Sequence, residues 1–449
     1  MAGLIVVSSW HVMVRSVPAT GRNVSRYLYI AALVIAGEMV FGLPFHTARF
    51  FRPTMLEVFG FSNTQLGDLF AVYGITATIS YFPGGAIADR FSARFLLSAS
   101  LVATACGGIY MSTIPGAFGM GVLYGFWGIT TIFLFWGALI RATREWGGKS
   151  SQGAAFGILE AGRGIVAASI AAFGVALLAW YMPDDATLAT DAERLNGFRT
   201  VVLMYSAATF AAGVMAWLII PDPGAATAKR RTNPFAGMAL VMGRPIVWAQ
   251  AAIIVCAYCA YKGMDNYSLY AVQVLGMDEV EGARLASYGA YSRPFAALAA
   301  GFIADRFDAT RSIGVGFIIL AIVFSVLSVA TPDTSGLSVI YGNMFTSYFA
   351  VFALRGIYFA LLQETRTPRH ITGAAVGMIS LIGYTPEIFF APIAGRILDA
   401  TPGAGGHLNL FLFLACIAAC GVAVVGWLLW LKRSRNNPWH EPVTSEQAE

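Results

Sequence analysis

Gly85-Ala86-Ile87-Ala88-Asp89-Arg90-Phe91 and Gly301-Phe302-Ile303-Ala304-Asp305-Arg306-Phe307 are one heptapeptide written twice with a single change. Each copy closes an apolar run and is followed at once by another. A charged turn that recurs at matching places marks an internal duplication, because a structural repeat carries its turns with it.

Working outward from these two turns, the chain of 449 residues is 57% hydrophobic and 12% charged. An ordinary soluble domain carries about 25% charge, so the main solvent of this chain is lipid. Apolar runs of roughly 20 residues, the length needed to cross a bilayer core, recur from Tyr27 to Leu431. Reading each run to its next charge or turn cluster predicts twelve helical spans. They fall at 27–50, 65–88, 94–112, 118–141, 152–181, 196–220, 246–274, 283–305, 312–330, 337–361, 370–397 and 407–431. The heptapeptides follow spans 2 and 8. Between spans 6 and 7 the stretch from Pro221 to Gly243 holds Pro221, Pro223, Pro234 and the Lys229-Arg230-Arg231 cluster, and reads as a linker. The expected organisation is an N-terminal segment (1–26), a six-helix bundle (27–220), a linker (221–245), a second six-helix bundle (246–431) and a tail (432–449). The fold class is an all-α membrane protein of twelve transmembrane helices in two pseudo-symmetric bundles.

The basic residues separate by side. Arg15, Arg22, Arg26, Arg90, Arg94, Arg141, Arg144, Lys149, the linker cluster, Arg244, Arg306, Arg311, Arg366, Arg369, Lys432, Arg433 and Arg435 all fall on one side of the predicted membrane. The opposite loops hold chiefly Arg52, Arg194, Arg199 and Arg396, with Asp184, Asp185, Asp191 and Asp278. The positive-inside rule then places both termini in the cytoplasm of a bacterial-type inner membrane. The short apolar run Leu4 to Val7 precedes its arginines, so a cleaved signal peptide is not expected.

A net charge of +5 does not indicate a nucleic-acid partner, since the cations lie in short clusters between apolar spans. The five cysteines sit inside apolar stretches as small hydrophobes, and Cys256 and Cys259 lack the second pair that a metal site requires. The five histidines are scattered, with no HExxH, P-loop or GxSxG present, so an enzyme is not expected and no cofactor is implied.

The turn after span 2 resembles the signature loop of the major facilitator superfamily, approximately G-x-L-A-D-R-x-G-R-R, through Gly85, Ile87, Ala88, Asp89, Arg90 and Arg94. It departs from that loop at Ser92 and Ala93. With Thr64-Gln65-Leu66-Gly67 and Tyr73-Gly74, the stretch from Arg49 to Arg94 is most similar to bacterial YihN-like inner-membrane transporters and to the organophosphate and anion:cation symporter groups. The resemblance implies alternating access between two bundles, with spans 1, 4, 7 and 10 lining the cavity and 2, 5, 8 and 11 flanking it. It implies a gating latch at Asp89, Arg90 and Arg94, repeated at Asp305 and Arg306, with Gly85 and Gly301 allowing close helix approach. The organophosphate members hold phosphate with basic residues in spans 1 and 7, where this chain has His46, Arg49 and Lys262. Span 5 has Gly157, Gly162 and Gly164 but not the proline of drug antiporters, which points away from drug efflux.

Ionisable groups in hydrocarbon are costly and mark functional positions. Here they are Glu38, His46 and Arg49 in span 1, Glu160 and Arg163 in span 5, Lys262 and Asp265 in span 7, Arg293 in span 8, Arg355 in span 10 and Glu387 in span 11. Glu160 with Arg163, and Lys262 with Asp265, stand three residues apart and can pair on one helix face. Arg293 precedes Pro294, a kink signal, while Arg355 and Arg49 lie near span ends and have the option of snorkelling. Five permanent cations against four carboxylates favour an anionic substrate, with Arg163 and Arg293 as bidentate anchors and Lys262, Arg49 and Arg355 in support. Tyr261 and Tyr384, among aromatics that include Tyr73, Trp127, Tyr258, Tyr288 and Tyr291, are candidates to contact its hydroxyls. Proton coupling is assigned first to Glu38, whose neighbours Val34, Ile35, Phe41 and Gly42 offer no cation, then to Glu387, Glu160 and Asp265. The expected function is secondary transport of a small polar organic anion with protons as coupling ion, the alternatives being export, anion exchange or a non-transporting sensor.

Overall fold

Each of the twelve apolar runs is helical, as lipid requires when a segment must satisfy its own backbone hydrogen bonds. The computed structural model describes residues 26–148, 152–222, 241–365 and 372–433. The N-terminal segment before Arg26, most of the linker with its Lys229-Arg230-Arg231 cluster, and the tail after Arg433 lie outside the described residues, as do Lys149, Arg366 and Arg369.

Among the described residues, ten helices are long and apolar enough to cross a membrane. The two remaining runs are span 2, Asn63–Arg90, and span 8, which is divided into Glu279–Ala290 and Ser292–Phe307. Both carry polar or charged residues along their length, which lowers their hydropathy without altering their place in the order.

The helices depart from continuity where the sequence supplies a reason. Span 1 contains a π turn, Gly42–His46, because Pro44 has no N–H to give to the preceding turn; the Thr47 N–H bonds to the Gly42 carbonyl instead. Span 7 tightens into a 3-10 turn at Met264–Asn266. Span 8 breaks at Tyr291, just before the Arg293-Pro294 pair, and span 11 breaks between Gly383 and Pro386. One further helix, Arg52–Phe59, was not expected. It begins with Pro53 in its first turn and ends at Gly60, whose φ of 63° favours glycine.

The same helix pairings recur six spans apart. Span 3 packs extensively on span 6 and span 9 on span 12, while span 1 packs on span 5 and span 7 on span 11. Close approach of spans 2 and 4 runs through Gly84, where an added Cβ would lie 3.2 Å from the Ile132 carbonyl oxygen. The sequence reading put this role on Gly85, and on Gly301 in the second half, but a Cβ at either would meet nothing within 4 Å. One residue along a helix turns the side chain by about 100°, enough to move it off the contact.

The described chain forms two compact units. The first comprises 26–48 with 75–222, and the second 49–74 with 241–433. The end of span 1, the helix Arg52–Phe59 and the first half of span 2 thus belong with spans 7 to 12.

Candidate functional site

In the first unit the buried charges gather on spans 1 and 5. Gly37 and Gly162 bring these helices together: a Cβ at Gly162 would sit 2.7 Å from Val34, and one at Gly37 would sit 3.3 Å from Arg163 Cδ. Through that gap Arg163, only 5% exposed, reaches Glu38, only 2% exposed. Arg163 Nε donates to Glu38 Oε2 at 2.9 Å and Nη1 to Glu160 Oε1 at 2.6 Å. His46 Nε2 lies 3.2 Å from the other Glu38 oxygen, and its ring meets Tyr205 edge-on at 6.1 Å. The absence of a cation near Glu38, inferred from its neighbours on span 1, is therefore overturned. Arg163 arrives from another helix, and the π turn carries His46 round to the same carboxylate.

In the second unit the charges gather around span 7. Arg49 Nε donates to Asp265 Oδ1 at 2.5 Å and Nη1 to the Tyr261 hydroxyl at 2.9 Å. Lys262, 2% exposed, places Nζ 3.0 Å from Asp265 Oδ2 and 3.3 Å from Glu387 Oε2. The Tyr258 hydroxyl donates to Glu387 Oε1. Tyr384 meets Tyr258 edge-on at 5.1 Å, and its hydroxyl lies 3.2 Å from that of Tyr358. The guanidinium carbon of Arg355 sits 3.9 Å from the Tyr261 ring centre, and that of Arg49 sits 4.5 Å from it. Arg293 is buried and within electrostatic reach of Tyr261. Neither Arg49 nor Arg355 snorkels; both turn to Tyr261.

Both same-helix pairs read from the sequence form, but each is extended to a second helix. The charge count also divides unevenly. Around span 5 one arginine faces two carboxylates, whereas the second unit holds Arg49, Lys262, Arg293 and Arg355 with Asp265 and Glu387, and buries Arg52 and Glu279 as well. Of the other aromatics, Tyr288 and Tyr291 are exposed, and Trp127 is spent on the Thr104 carbonyl at 3.1 Å.

Residues that periodicity did not single out complete the second unit. Asp399, at the end of span 11, caps the start of span 2: it accepts from Thr64 N at 2.7 Å, Asn63 N at 3.2 Å and Asn63 Nδ2 at 3.1 Å. Arg396 bonds Asp68 at 2.8 Å. Between them the two backbones meet through Gly67, Gly74 and Gly395, whose added Cβ atoms would collide with main chain at Ala391, Glu387 and Asn63. Loss of a helix N-cap costs about 1–2 kcal/mol. Asp399→Ala is expected to lower the unfolding free energy in SDS-titrated micelles by that amount, and Asp399→Asn by less, since asparagine keeps one of the two acceptor oxygens. An alanine variant as stable as wild type would remove the cap from the account.

At the heptapeptide ends, Asp89 and Arg90 are exposed and form no ion pair among the described residues. Arg94 instead bonds Asp222 at 2.9 Å and lies over Trp217, and Ser92 caps span 3 by accepting from Phe95 N. The span 2 end is held by Arg141, which donates to the Ala88 and Phe91 carbonyls. In the second half Lys432 joins Asp308 and Glu364, and Glu364 accepts from Thr310 N. Arg306 is exposed, and the Asp305 side chain lies outside the described residues.

Repeated six-helix pairings, intramembrane charge clusters and helix breaks at those clusters define a polytopic membrane transporter scaffold and not an enzyme. The chain belongs to the Major Facilitator Superfamily, whose sequence pattern matches residues 34–391. It is 27% identical over 419 residues to the inner membrane protein YqcE of Escherichia coli K12, covering 91% of this chain and 96% of that one. To the inner membrane protein YihN of the same organism it is 26% identical over 411 residues, covering 89% and 94%. A variant of the nucleoside transporter NupG has the same fold, with a TM-score of 0.71 at 13% identity over 90% of this chain and all of that one.

Proposed function

We propose that this protein is a secondary active transporter of a small polar organic anion, working by alternating access with proton symport in a bacterial inner membrane, both termini cytoplasmic. The observation that carries the substrate class is the placement of Arg49 and Arg355 against Tyr261, with Arg293 buried in the same unit. Guanidinium groups beside a phenol suit a carboxylate, phosphate or sulfonate that also bears hydroxyls, through bidentate donation. The anchor is placed on Arg293 and Arg355, with Lys262 and Tyr384 in support, and Arg163 is left to Glu38 and Glu160 in the first unit. Glu387 and Asp265 supply the balancing charge. Asp89 and Arg90, with Asp305 and Arg306 in the second half, are proposed for the gating latch, and Arg94 serves as an anchor within its own half.

The test is a thermal-shift screen of purified protein against sugar acids, sulfonates, organophosphates and carboxylates, with neutral sugars and nucleosides as controls. A ligand at 100 times its Kd stabilises the folded state by about 2.7 kcal/mol. Shifts confined to anions, lost in Arg293→Ala and Arg355→Ala but kept in Arg163→Ala, are expected. Shifts from neutral compounds that survive in the Arg293 and Arg355 variants would sink the anion reading.

A further inference from the structure

A buried tyrosine needs a partner for its hydroxyl, and where packing alone is required phenylalanine serves as well. In the second unit Tyr258 and Tyr261 meet that need through Glu387 and Arg49, and the Tyr267 hydroxyl lies 2.7 Å from Ser347 Oγ. Tyr348 is different: it is only 3% exposed, and its hydroxyl has no hydrogen-bond partner among the described residues. Gly289 of span 8 makes room for its ring, since a Cβ there would fall 2.2 Å from Tyr348 Cε2. Asn266, 4% exposed, is a second case. Its Nδ2 donates to the Gly263 carbonyl at 3.3 Å, which fixes the orientation of the amide because a carbonyl only accepts. Oδ1 is left without a partner among the described residues.

Both groups flank Tyr267. Asn266 precedes it in the tightened turn of span 7, and the Tyr348 ring meets it edge-on at 5.1 Å. From there aromatic rings lead back to the arginines. Tyr348 stacks on Phe352 at 6.3 Å, Phe352 meets Tyr261 edge-on at 6.4 Å, and Tyr261 carries Arg355 and Arg49 against its ring. The row thus has a cationic end, at the partly buried Tyr261, and a neutral end where a hydroxyl and an amide oxygen are unspent. The Tyr270 hydroxyl is also unpartnered, but its ring lies against His407 and Phe411 of span 12 instead.

We propose that the Tyr348 hydroxyl and Asn266 Oδ1 form a neutral subsite in the second unit, and that the substrate is a polyhydroxylated acid whose hydroxyls these two oxygens read while Arg293 and Arg355 hold its anionic group. The inference rests on the anion reading above, and it assigns hydroxyl recognition to Tyr348 and Asn266 in place of Tyr261, whose oxygen accepts from Arg49. One substrate hydroxyl accepts from the Tyr348 O–H, and another donates to Asn266 Oδ1. An acid without hydroxyls leaves both oxygens buried and unbonded, which is how a site built for hydrogen bonding rejects it.

The test measures affinities by isothermal titration calorimetry on the full chain in lipid nanodiscs, with probes of one carbon skeleton. Gluconate carries a carboxylate and hydroxyls, hexanoate the carboxylate alone and sorbitol the hydroxyls alone; glucose 6-phosphate, hexyl phosphate and glucose repeat the set with a phosphate. Gluconate or glucose 6-phosphate is expected to bind at least about tenfold more tightly than its hydroxyl-free counterpart. Tyr348→Phe, which removes a single oxygen, is expected to cut that preference about tenfold and to leave the counterpart's affinity unchanged. Asn266→Ala is expected to act in the same direction, and if it does not fold, Tyr348→Phe alone decides. A preference that survives intact in Tyr348→Phe overturns the subsite and leaves the anion reading standing. Sorbitol or glucose bound as tightly as the acids, and lost in Tyr348→Phe, supports the subsite and overturns the anion reading. Hydroxyl-free acids bound as tightly as their hydroxylated partners in wild type, or no probe bound at all, overturn the subsite.

Discussion

Gly74→Val is expected to lower the unfolding free energy of the purified protein by about 3 kcal/mol or more, at the upper end of what overpacking costs. A Cβ at Gly74 would lie 2.5 Å from the Glu387 carbonyl oxygen, 2.6 Å from its carbon and 2.8 Å from Ile388 N. All three are main-chain atoms, so no rotamer change relieves the clash, and spans 2 and 11 must move apart. That movement disturbs Glu387 itself, whose side chain holds Tyr258 and Lys262. Gly342→Val serves as the control, because a Cβ there meets nothing within 4 Å and the change in helix propensity is the same. Unfolding in SDS-titrated micelles reads both variants. Equal losses would mean that backbone contact between these helices contributes nothing.

Lys262→Ala is the second large effect. It removes the cation 3.0 Å from Asp265 and 3.3 Å from Glu387, and removing one member of a buried pair costs about 3–5 kcal/mol because the other charge stays buried. Most of that penalty belongs to the stranded carboxylate. The double variant Lys262→Ala with Glu387→Gln is therefore expected to recover about 1–2 kcal/mol relative to the single change, a coupling of the size seen between groups in contact. If the two substitutions simply add, Lys262 and Glu387 do not share a network, and the ion pair at 3.3 Å carries no energy.

The sequence made the scaffold legible through its least subtle signals. Twelve apolar runs and one repeated heptapeptide contain the helix order, and the cost of charge in lipid picked out the charged residues that the two clusters use. The i, i+3 pairs were visible too, because helix geometry relates residues that close together. What stayed hidden was choice of partner across helices. Glu38 and Arg163 are 125 residues apart, and Arg49 and Asp265 are 216 apart, so no local period links them. The sequence reading set His46 in span 1 as a regular helix and did not read in Pro44 the π turn that ends at this residue, 3.2 Å from Glu38. Asp399 was not singled out, since a carboxylate that caps a different helix leaves no mark in its own sequence neighbourhood.

The ion pairs at the heptapeptide ends have opposite polarity in the two halves. Arg94 opens span 3 and meets Asp222 beyond span 6, whereas Asp308 precedes span 9 and meets Lys432 at the end of span 12. A duplicated chain faces a sorting problem during assembly, since its third and ninth helices descend from one ancestor and could each dock on either partner. Exchanged docking would set Arg94 against Lys432 and Asp308 against Asp222, and like charges brought together in this way are penalised. Each half thus carries a lock that accepts its own key and repels its sibling's, written in four residues.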